Sequence, residues 1–285
     1  MATIVEIKRE LNSINKISKI TNAMKIIAIS KIAKAKKNYL EMVDLMTNIH
    51  ESVRVLAYHL STQQLLSNIN SNRPTLWILF TSSLGMAGSF NGAILKAFIT
   101  NYKPGERIIV IGDKGYKFLV RNRLEKYIIK HLNLSNRPTD FFQFKMIGEY
   151  IYRMYAKKAI GNVKIQFTHF KSSTSSAPVI SQIVPVDVNA IKNSVSNNEK
   201  HVALGTFTVD PNAESASRKI LTLYLEFSLY AAYIESTLCE HLSRKNAMIE
   251  ASLNEDIKTT ELRMQYNKKR QEKITQEVAR LSLSL

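Results

Sequence analysis

The sequence predicts an α/β fold with two long α-helical arms, one at each end of the chain. All nine Gly and all six Pro lie between Pro74 and Pro211, so both ends lack strong helix breakers. Apolar residues recur at steps of three and four along both ends. Between them, strand-like and helix-like segments alternate, which is typical of a mostly parallel sheet.

The first arm is predicted to be one helix from about Thr3 to Leu60. Thr3 and Glu6 have the spacing of a capping box at its start. The predicted inner stripe is Ile4, Ile7, Leu11, Ile14, Ile17, Thr21, Met24 and Ile27. Such a helix is roughly 80 Å long at 1.5 Å per residue, so it needs a partner along its length.

The last arm is predicted to be a second helix, capped by Asp210 or Asn212 and continuing to the end of the chain. Its predicted inner stripe is Leu221, Leu225, Leu229, Ala232, Leu238, Leu242, Ile249, Leu253, Ile257, Met264, Ile274, Val278 and Leu281. Packing the two arms as an antiparallel coiled coil buries both stripes. The predicted domains are therefore residues 1–73, residues 74–211 and residues 212–285.

The middle of the chain is predicted to form the sheet and its covering helices. The predicted strands are residues 76–81, 107–112, 126–132, 162–170 and 179–188, and the predicted helices are residues 92–102, 114–123 and 139–159. Residues 189–205 are rich in Asn, Ser, Lys and Glu and are interpreted as a loop.

Composition and spacing exclude several classes of protein and of site. The chain carries a net charge of +17, but it is 45% hydrophobic, which is too apolar a composition for a disordered chain. Its single cysteine, Cys239, forms no internal disulfide, and no apolar run is long enough to span a membrane. The six His show no metal spacing, and no Ser/His/Asp cluster or carboxylate pair stands out. No catalytic, cofactor-binding or metal-binding residue is therefore assigned.

A glycine-containing turn follows the first predicted strand. Gly85, Gly88 and Gly92 lie where a phosphate-binding loop would lie, but their spacing matches neither the dinucleotide fingerprint nor a P-loop. A structural turn is the favoured interpretation. A nucleotide-dependent α/β enzyme, with Asp113 as a ribose ligand, is the competing one.

The first arm carries a basic stripe. Residues 8–37 hold nine basic residues and one acid, Glu10. This stripe fits a solvated helix face, a nucleic-acid-binding surface or a surface that meets an acidic protein.

Several segments resemble the gamma subunit of F-type ATP synthases. Residues 19–24 (KITNAM) and 28–31 (AISK) are similar to that family's N-terminal signature. Arg244, Ala247-Met248 and residues 266–277 are similar to its C-terminal signature. The turn at residues 81–91 and the segment 177–182 are similar to two further family segments, so the resemblance covers essentially the whole chain.

The resemblance implies a coiled coil of the two terminal helices with a Rossmann-like domain at its base. It also implies that this coiled coil is the rotor shaft inside a ring of alternating alpha and beta subunits. Catalysis, ATP or ADP and Mg²⁺ would then belong to the ring, and the chain itself would bind no cofactor and no nucleic acid. The epsilon subunit and the membrane ring are further implied partners, at the cytoplasmic side of the membrane and without a span in this chain.

The resemblance also implies which residues contact the ring. The matching positions are Met24, Lys25 and Lys31 on the first arm and Arg244, Gln271 and Thr275 on the last. Residues 278–285 correspond to the tip that turns in an apolar bearing.

Some positions depart from the family pattern. Ser83-Leu84 replaces an Asp-Arg pair in the glycine turn, and Lys25 occupies a position that is commonly acidic. These departures support an alternative, the shaft of a divergent ATP-hydrolysing motor that is not coupled to proton flow. A basic coiled-coil nucleic-acid binder is the other alternative.

Overall fold

Two long helices form the framework of the chain. The computed structural model describes residues 3–59, 73–134, 141–186 and 213–282, and the terminal helices within them are α1 (Ile4–His59) and α5 (Ala213–Ser282). They are antiparallel, since Thr21 near the start of α1 contacts Glu255 in the second half of α5, whereas His50 near the end of α1 lies against Tyr224 near the start of α5. The predicted antiparallel pair is confirmed. The N-cap predicted at Asp210 or Asn212 and the loop predicted at residues 189–205 lie outside these residues, and the domain boundaries stay predictions.

Helix α1 begins at the predicted capping box. The Thr3 backbone N–H donates to the Glu6 carboxylate at 2.7 Å, and the Glu6 N–H donates to Thr3 Oγ1 at 3.3 Å. Of these two hydrogen bonds, the one from the Thr3 N–H to the carboxylate lowers the pKa of Glu6. They satisfy two donors that a helix start leaves without partners.

The seam of α1 follows a strict heptad. Alternating steps of three and four connect buried or half-buried residues: Ile4, Ile7, Leu11, Ile14, Ser18, Thr21, Lys25, Ala28, Ile32, Ala35, Tyr39, Met42, Met46, Ile49 and Val53. The predicted stripe was wrong at Ile17 and Ile27, whose side chains are 52% and 49% exposed. The prediction followed hydropathy and took successive steps of three, whereas a seam that keeps facing one partner needs a 3.5-residue repeat.

The middle of the chain forms one five-stranded sheet. Its strands are β1 (Thr75–Phe80), β2 (Arg107–Ile111), β3 (Ile128–Leu132), β4 (Asn162–Phe170) and β5 (Ser176–Val184), in the order β3-β2-β1-β4-β5. The first four are parallel and β5 is antiparallel to β4. Helices α2 (Phe90–Asn101), α3 (Asp113–Arg121) and α4 (Phe141–Ala156) connect or cover them.

Strands β1 and β2 differ from the sequence prediction by one residue at their ends, and β3 and β5 differ by more. β3 begins at Ile128 because residues 125–127 form a 3₁₀ turn. β5 begins at Ser176 and ends at Val184, before Pro185. The strand includes Pro178, which an edge strand tolerates because one of its sides needs no backbone donor.

The central strand β1 separates two apolar layers. Leu76, Ile78 and Phe80 face a core that includes Phe144 of α4 and Leu225 of α5. The alternate residues Trp77 and Leu79 face the other layer, which includes Phe98 of α2 and Leu119 of α3. Because side chains alternate along a strand, one face of the sheet packs against α4 and α5 and the other packs against α2 and α3.

Helices α4 and α5 approach closely at Gly148. A Cβ atom at Gly148 would lie 2.6 Å from Glu226 Cγ and 3.2 Å from the Glu226 backbone. Only a residue without a side chain fits there unless the helices move apart. Gly92 in α2 provides a contrast, because a Cβ atom there would meet nothing within 4 Å.

We expect Gly148→Ala to lower the free energy of unfolding by about 1–3 kcal/mol, because it overpacks the α4–α5 crossing. Gly92→Ala is the matched control and should raise it by up to about 1 kcal/mol, since Ala is the better helix former. Urea unfolding followed by circular dichroism measures both. Equal effects of the two substitutions would contradict the close approach.

Candidate functional site

The far part of the helix pair has very little core of its own. We call residues 4–27 of α1 and 249–282 of α5 the distal shaft. Within it, the only fully buried residues are Ile7, Thr21 and Leu262. Two helices in contact along one line leave most of their surfaces uncovered, so the distal shaft is a thin rod rather than a globular core.

The distal shaft exposes large apolar side chains to its surroundings. They lie on both helices: Val5, Ile17, Ile20, Ile26 and Ile27 on α1, and Ile249, Leu253, Ile257, Met264, Ile274, Val278 and Leu281 on α5. The seven α5 residues were predicted in the inner stripe, and that prediction was wrong. Many large apolar side chains exposed on one element are typical of a surface that contacts another protein. The distal shaft therefore has the apolar surface of a buried element, although no part of the described chain covers it.

The seam of the distal shaft is partly polar. The Thr21 hydroxyl donates to the Glu255 carboxylate at 2.7 Å across the two helices. Ser18 and Lys25 occupy neighbouring heptad positions of α1. Polar residues at such positions fix the register of two helices at some cost in stability.

Helix α5 extends beyond α1. The Thr21–Glu255 contact places Ile4 opposite a position near residue 272. Residues 273–282 therefore project past the start of α1 by about 15 Å, and all of them are exposed. The tip is a single helix with three large apolar side chains on its surface, Ile274, Val278 and Leu281.

The basic stripe of α1 is solvent-facing. Lys16, Lys19, Lys31 and Lys34 are exposed and form no ion pair with any residue in the described ranges. Lys37 lies 3.8 Å from Glu41, and both side chains are largely exposed. An exposed pair of this kind contributes little, so the stripe retains its positive charge for a partner.

The glycine turn is fastened to α5 by Arg244. The guanidinium Nη2 donates to the Gly85 carbonyl at 3.3 Å and to the Glu240 carboxylate at 2.7 Å. His241 Nδ1 lies 3.4 Å from Nη1. Arg244 is only 5% exposed, so it connects the first βα turn of the sheet to the shaft from the inside.

The other polar groups of the turn form hydrogen bonds with one another, and its Gly88 packs against α5. Ser82 N–H donates to the Asn91 side-chain oxygen at 2.9 Å, and Asn91 Nδ2 donates to Ser82 Oγ at 2.7 Å. Gly88 has a φ of 54°, and a Cβ there would lie 3.6 Å from Ala247 Cβ of α5. The turn packs on the shaft where a phosphate-binding loop would face a ligand, which agrees with the structural interpretation.

The chain matches known proteins over nearly its whole length. A family model described as ATP synthase matches residues 3–281. The ATP synthase gamma chain of Malacoplasma penetrans is 30% identical over 282 residues, which cover 99% of this chain and 98% of that one. The chain belongs to the ATP synthase gamma chain family. The gamma chain of Mycoplasma pneumoniae, 28% identical over 98% of this chain and 97% of its own, is a further relative.

Solved structures of gamma-family rotors share the fold. The rotor of the Euglena gracilis mitochondrial ATP synthase aligns with a TM-score of 0.67 at 16% identity, over 95% of this chain and 98% of that chain. The central stalk of the Tetrahymena thermophila mitochondrial enzyme aligns with a TM-score of 0.59 at 22% identity, over 82% and 99%. At these identities the likeness concerns the fold.

The ring contacts expected for a gamma chain occupy different environments. Lys31, Gln271 and Thr275 are exposed, whereas Met24 and Lys25 are half-buried beside the seam. Arg244 differs most, because Gly85 and Glu240 already occupy its guanidinium within the chain. All six remain predictions as ring contacts.

Sequence reasoning missed the partners of Arg244. Glu240 and His241 lie four and three residues before it on α5, which is the helical spacing that places side chains together. Burial raises the pKa of Glu240, and the hydrogen bond and charge of Arg244 oppose that rise. Burial also lowers the pKa of His241 to about 4, helped by the positive charges of Arg244 and Lys31.

The described residues contain neither a membrane-spanning helix nor a cluster of metal ligands. Within the described ranges, every helix is too short or too polar to cross a bilayer. The same residues contain no group of three His, Cys, Asp or Glu side chains arranged to hold a metal ion.

We expect Arg244→Met to lower the free energy of unfolding by about 3–5 kcal/mol, because it leaves the buried Glu240 carboxylate without its cation. Arg263 on the exposed side of α5 supplies the control, and Arg263→Met should change it by less than about 0.5 kcal/mol. Adding Glu240→Gln to Arg244→Met should restore part of the loss. Chemical denaturation of the parent chain and the three variants measures these differences, and equal losses for both single Arg variants would contradict the role of Arg244 in joining the turn to α5.

The stability of the chain should fall as the pH drops from about 6.5 toward 4 through His241. Its pKa of about 4 lies below the ordinary value of 6.5, so the unfolded chain binds the proton first and acid favours unfolding. His241→Gln removes this contribution. Melting temperatures across that pH range should therefore fall more steeply for the parent chain than for the variant, and parallel curves would contradict the assignment.

Proposed function

We propose that α1 and α5 form the central rotor shaft of an F-type rotary ATPase and that the chain itself carries out no catalysis. The observation that carries this proposal is the distal shaft, which presents large apolar side chains along its length and has almost no core. A ring of alternating alpha and beta subunits would cover that surface. ATP or ADP and Mg²⁺ would be bound by the ring.

The shaft couples rotation to nucleotide chemistry through its asymmetry. An off-centre pair of unequal helices presents a different face to each ring subunit at every angle. Each angle therefore favours one set of ring conformations, and the coupling is reciprocal because it is a difference in contact free energy. Hydrolysis in the ring turns the shaft, and a driven shaft promotes synthesis.

Charge and shape suggest how the contacts divide along the shaft. Lys25 and Lys31 would meet acidic side chains of the ring, and Met24 would pack beside them. Gln271 and Thr275 lie where the pair becomes a single helix. The projecting tip would turn in an apolar bearing, where contacts without fixed polar bonds offer little resistance to rotation.

The sheet domain, at the base of the helix pair, would face the membrane side of the complex. We propose that the sheet domain contacts the epsilon subunit and the membrane ring, with the complex held peripherally at the cytoplasmic side of the membrane. This position leaves the sheet domain outside the alpha/beta ring.

Native mass spectrometry of the tagged chain, purified from its own cells and assayed for ATPase activity, tests the proposal. One copy of the chain with a ring of alpha and beta subunits and ATP turnover is the expected result. A membrane ring in the same particle supports a synthase, whereas hydrolysis without such a ring supports the divergent motor. A chain that purifies alone or with nucleic acid would contradict the shaft role.

We expect Lys31→Glu to lower the affinity of the shaft for the ring by about fivefold, since an exposed ion pair contributes up to about 1 kcal/mol. Lys117→Glu on α3 changes the charge equally at an exposed site away from the shaft and is the control. Reconstitution with purified alpha and beta subunits at low and high salt measures both. Equal weakening by the two substitutions would argue against a local contact at Lys31.

A further inference from the structure

A cavity lined by both polar and apolar side chains lies where the sheet meets the helix pair. Its volume is about 280 Å³, and it opens at the carboxyl ends of β1 and β2. In open α/β sheets, ligands bind in the crevice outside these strand ends. The lining residues that carry polar side chains are Lys31, Lys34 and Asn38 of α1, Thr81 and Ser83 after β1, and Tyr233, Ser236, Thr237, Glu240, His241 and Arg244 of α5.

The charges that line the cavity do not cancel. Among the described residues that line the cavity, Glu240 is the one acid, and it is paired with Arg244 at 2.7 Å. Lys31 and Lys34 form no ion pair with a described residue and remain exposed at the cavity. His241 is neutral at pH 7 because burial lowers its pKa to about 4. Two uncompensated positive charges therefore face the same space.

The positive field reaches the interior of the cavity. The positive charge of Lys31 helps to lower the pKa of His241, and it also opposes the rise that burial causes in the pKa of Glu240. Lys31 therefore acts on two half-buried groups of the wall although its own side chain is exposed.

The space suits a small anion rather than a whole nucleotide. The glycine turn that would hold a nucleotide's diphosphate is occupied by Arg244, which binds the Gly85 carbonyl, and by the packing of Gly88 near Ala247. Hydroxyl and amide donors remain in the wall, from Ser83 on the sheet side and Asn38 on α1. A tetrahedral oxyanion accepts hydrogen bonds from such groups and from ammonium groups at once.

We propose that this cavity is a binding site for a small phosphate-type anion, with Lys31 and Lys34 as its cationic ligands and Ser83 as a neutral donor. The anion bridges α1 to the loop after β1, so its binding stiffens the junction between the shaft and the sheet domain. Lys31 is also an expected ring contact, but every lining residue named above belongs to this chain, so the site can be tested on the chain without the ring.

Calorimetric titration of the full chain with sodium pyrophosphate, at constant ionic strength, tests the site. Saturable binding in the millimolar range or tighter is expected, with a matching rise in melting temperature, because a ligand that binds only the folded chain stabilises it. Lys31→Gln with Lys34→Gln should weaken binding by at least about tenfold. Lys16→Gln with Lys19→Gln removes the same charge from α1 outside the cavity and should leave affinity within about twofold.

A second variant separates the cavity from the overall charge. Ser83→Leu keeps the net charge but fills the space, and it should abolish binding while circular dichroism shows the folded chain. Titrations with phosphate and with ADP test the restriction to a small anion: binding of free phosphates without comparable binding of ADP is expected, and equal binding of ADP would overturn that restriction. Equal weakening by both lysine pairs, unchanged binding by Ser83→Leu, or no saturable binding would overturn the site.

Discussion

Everything else in this chain depends on the antiparallel packing of α1 against α5. Helices of 56 and 70 residues take most of their stability from tertiary contacts rather than from helix propensity. The heptad of α1 supplies those contacts in one narrow line, and Ala28 and Ala35 lie in it with small side chains. This narrow row of seam contacts is sufficient to hold the two helices together, and it leaves their outer faces uncovered. A rotor shaft needs this combination, since its outer surface must contact other subunits without being fixed to one of them.

The sheet domain is joined to the shaft by polar as well as apolar contacts. Leu225 and Leu229 of α5 enter the larger core of the sheet. Arg244 fastens the glycine turn, and Glu235 accepts hydrogen bonds from the Phe170 backbone at 2.9 Å and from His169 at 2.7 Å. These attachments are spaced along one helix, so a torque on the base passes into α5 over several turns. In this account the base and the shaft turn together.

The sequence predicted the elements better than their contacts. Breaker placement and periodicity identified both long helices and a mostly parallel sheet, because Gly, Pro and helical repeats act locally. They did not identify Ser18 and Ala28 as seam positions in place of Ile17 and Ile27, because hydropathy does not distinguish an apolar residue that faces the other helix from one on the outer face. Likewise Arg244 was recognised as a family position, but its attachment to Gly85 joins residues far apart in the chain. The antiparallel β5 and the close approach at Gly148 are tertiary features of the same kind.

Single-molecule rotation tests the central claim most directly. Cys239 is the only cysteine in the chain, and it is buried, with a pKa raised to about 12 by that burial. A Lys117→Cys substitution on the exposed side of α3 therefore provides a unique attachment point for a bead on the base domain. With the alpha/beta ring fixed to a surface, ATP should drive stepped rotation of the bead in one direction. ATP turnover at full rate with a stationary bead would contradict the claim that this chain is the rotor.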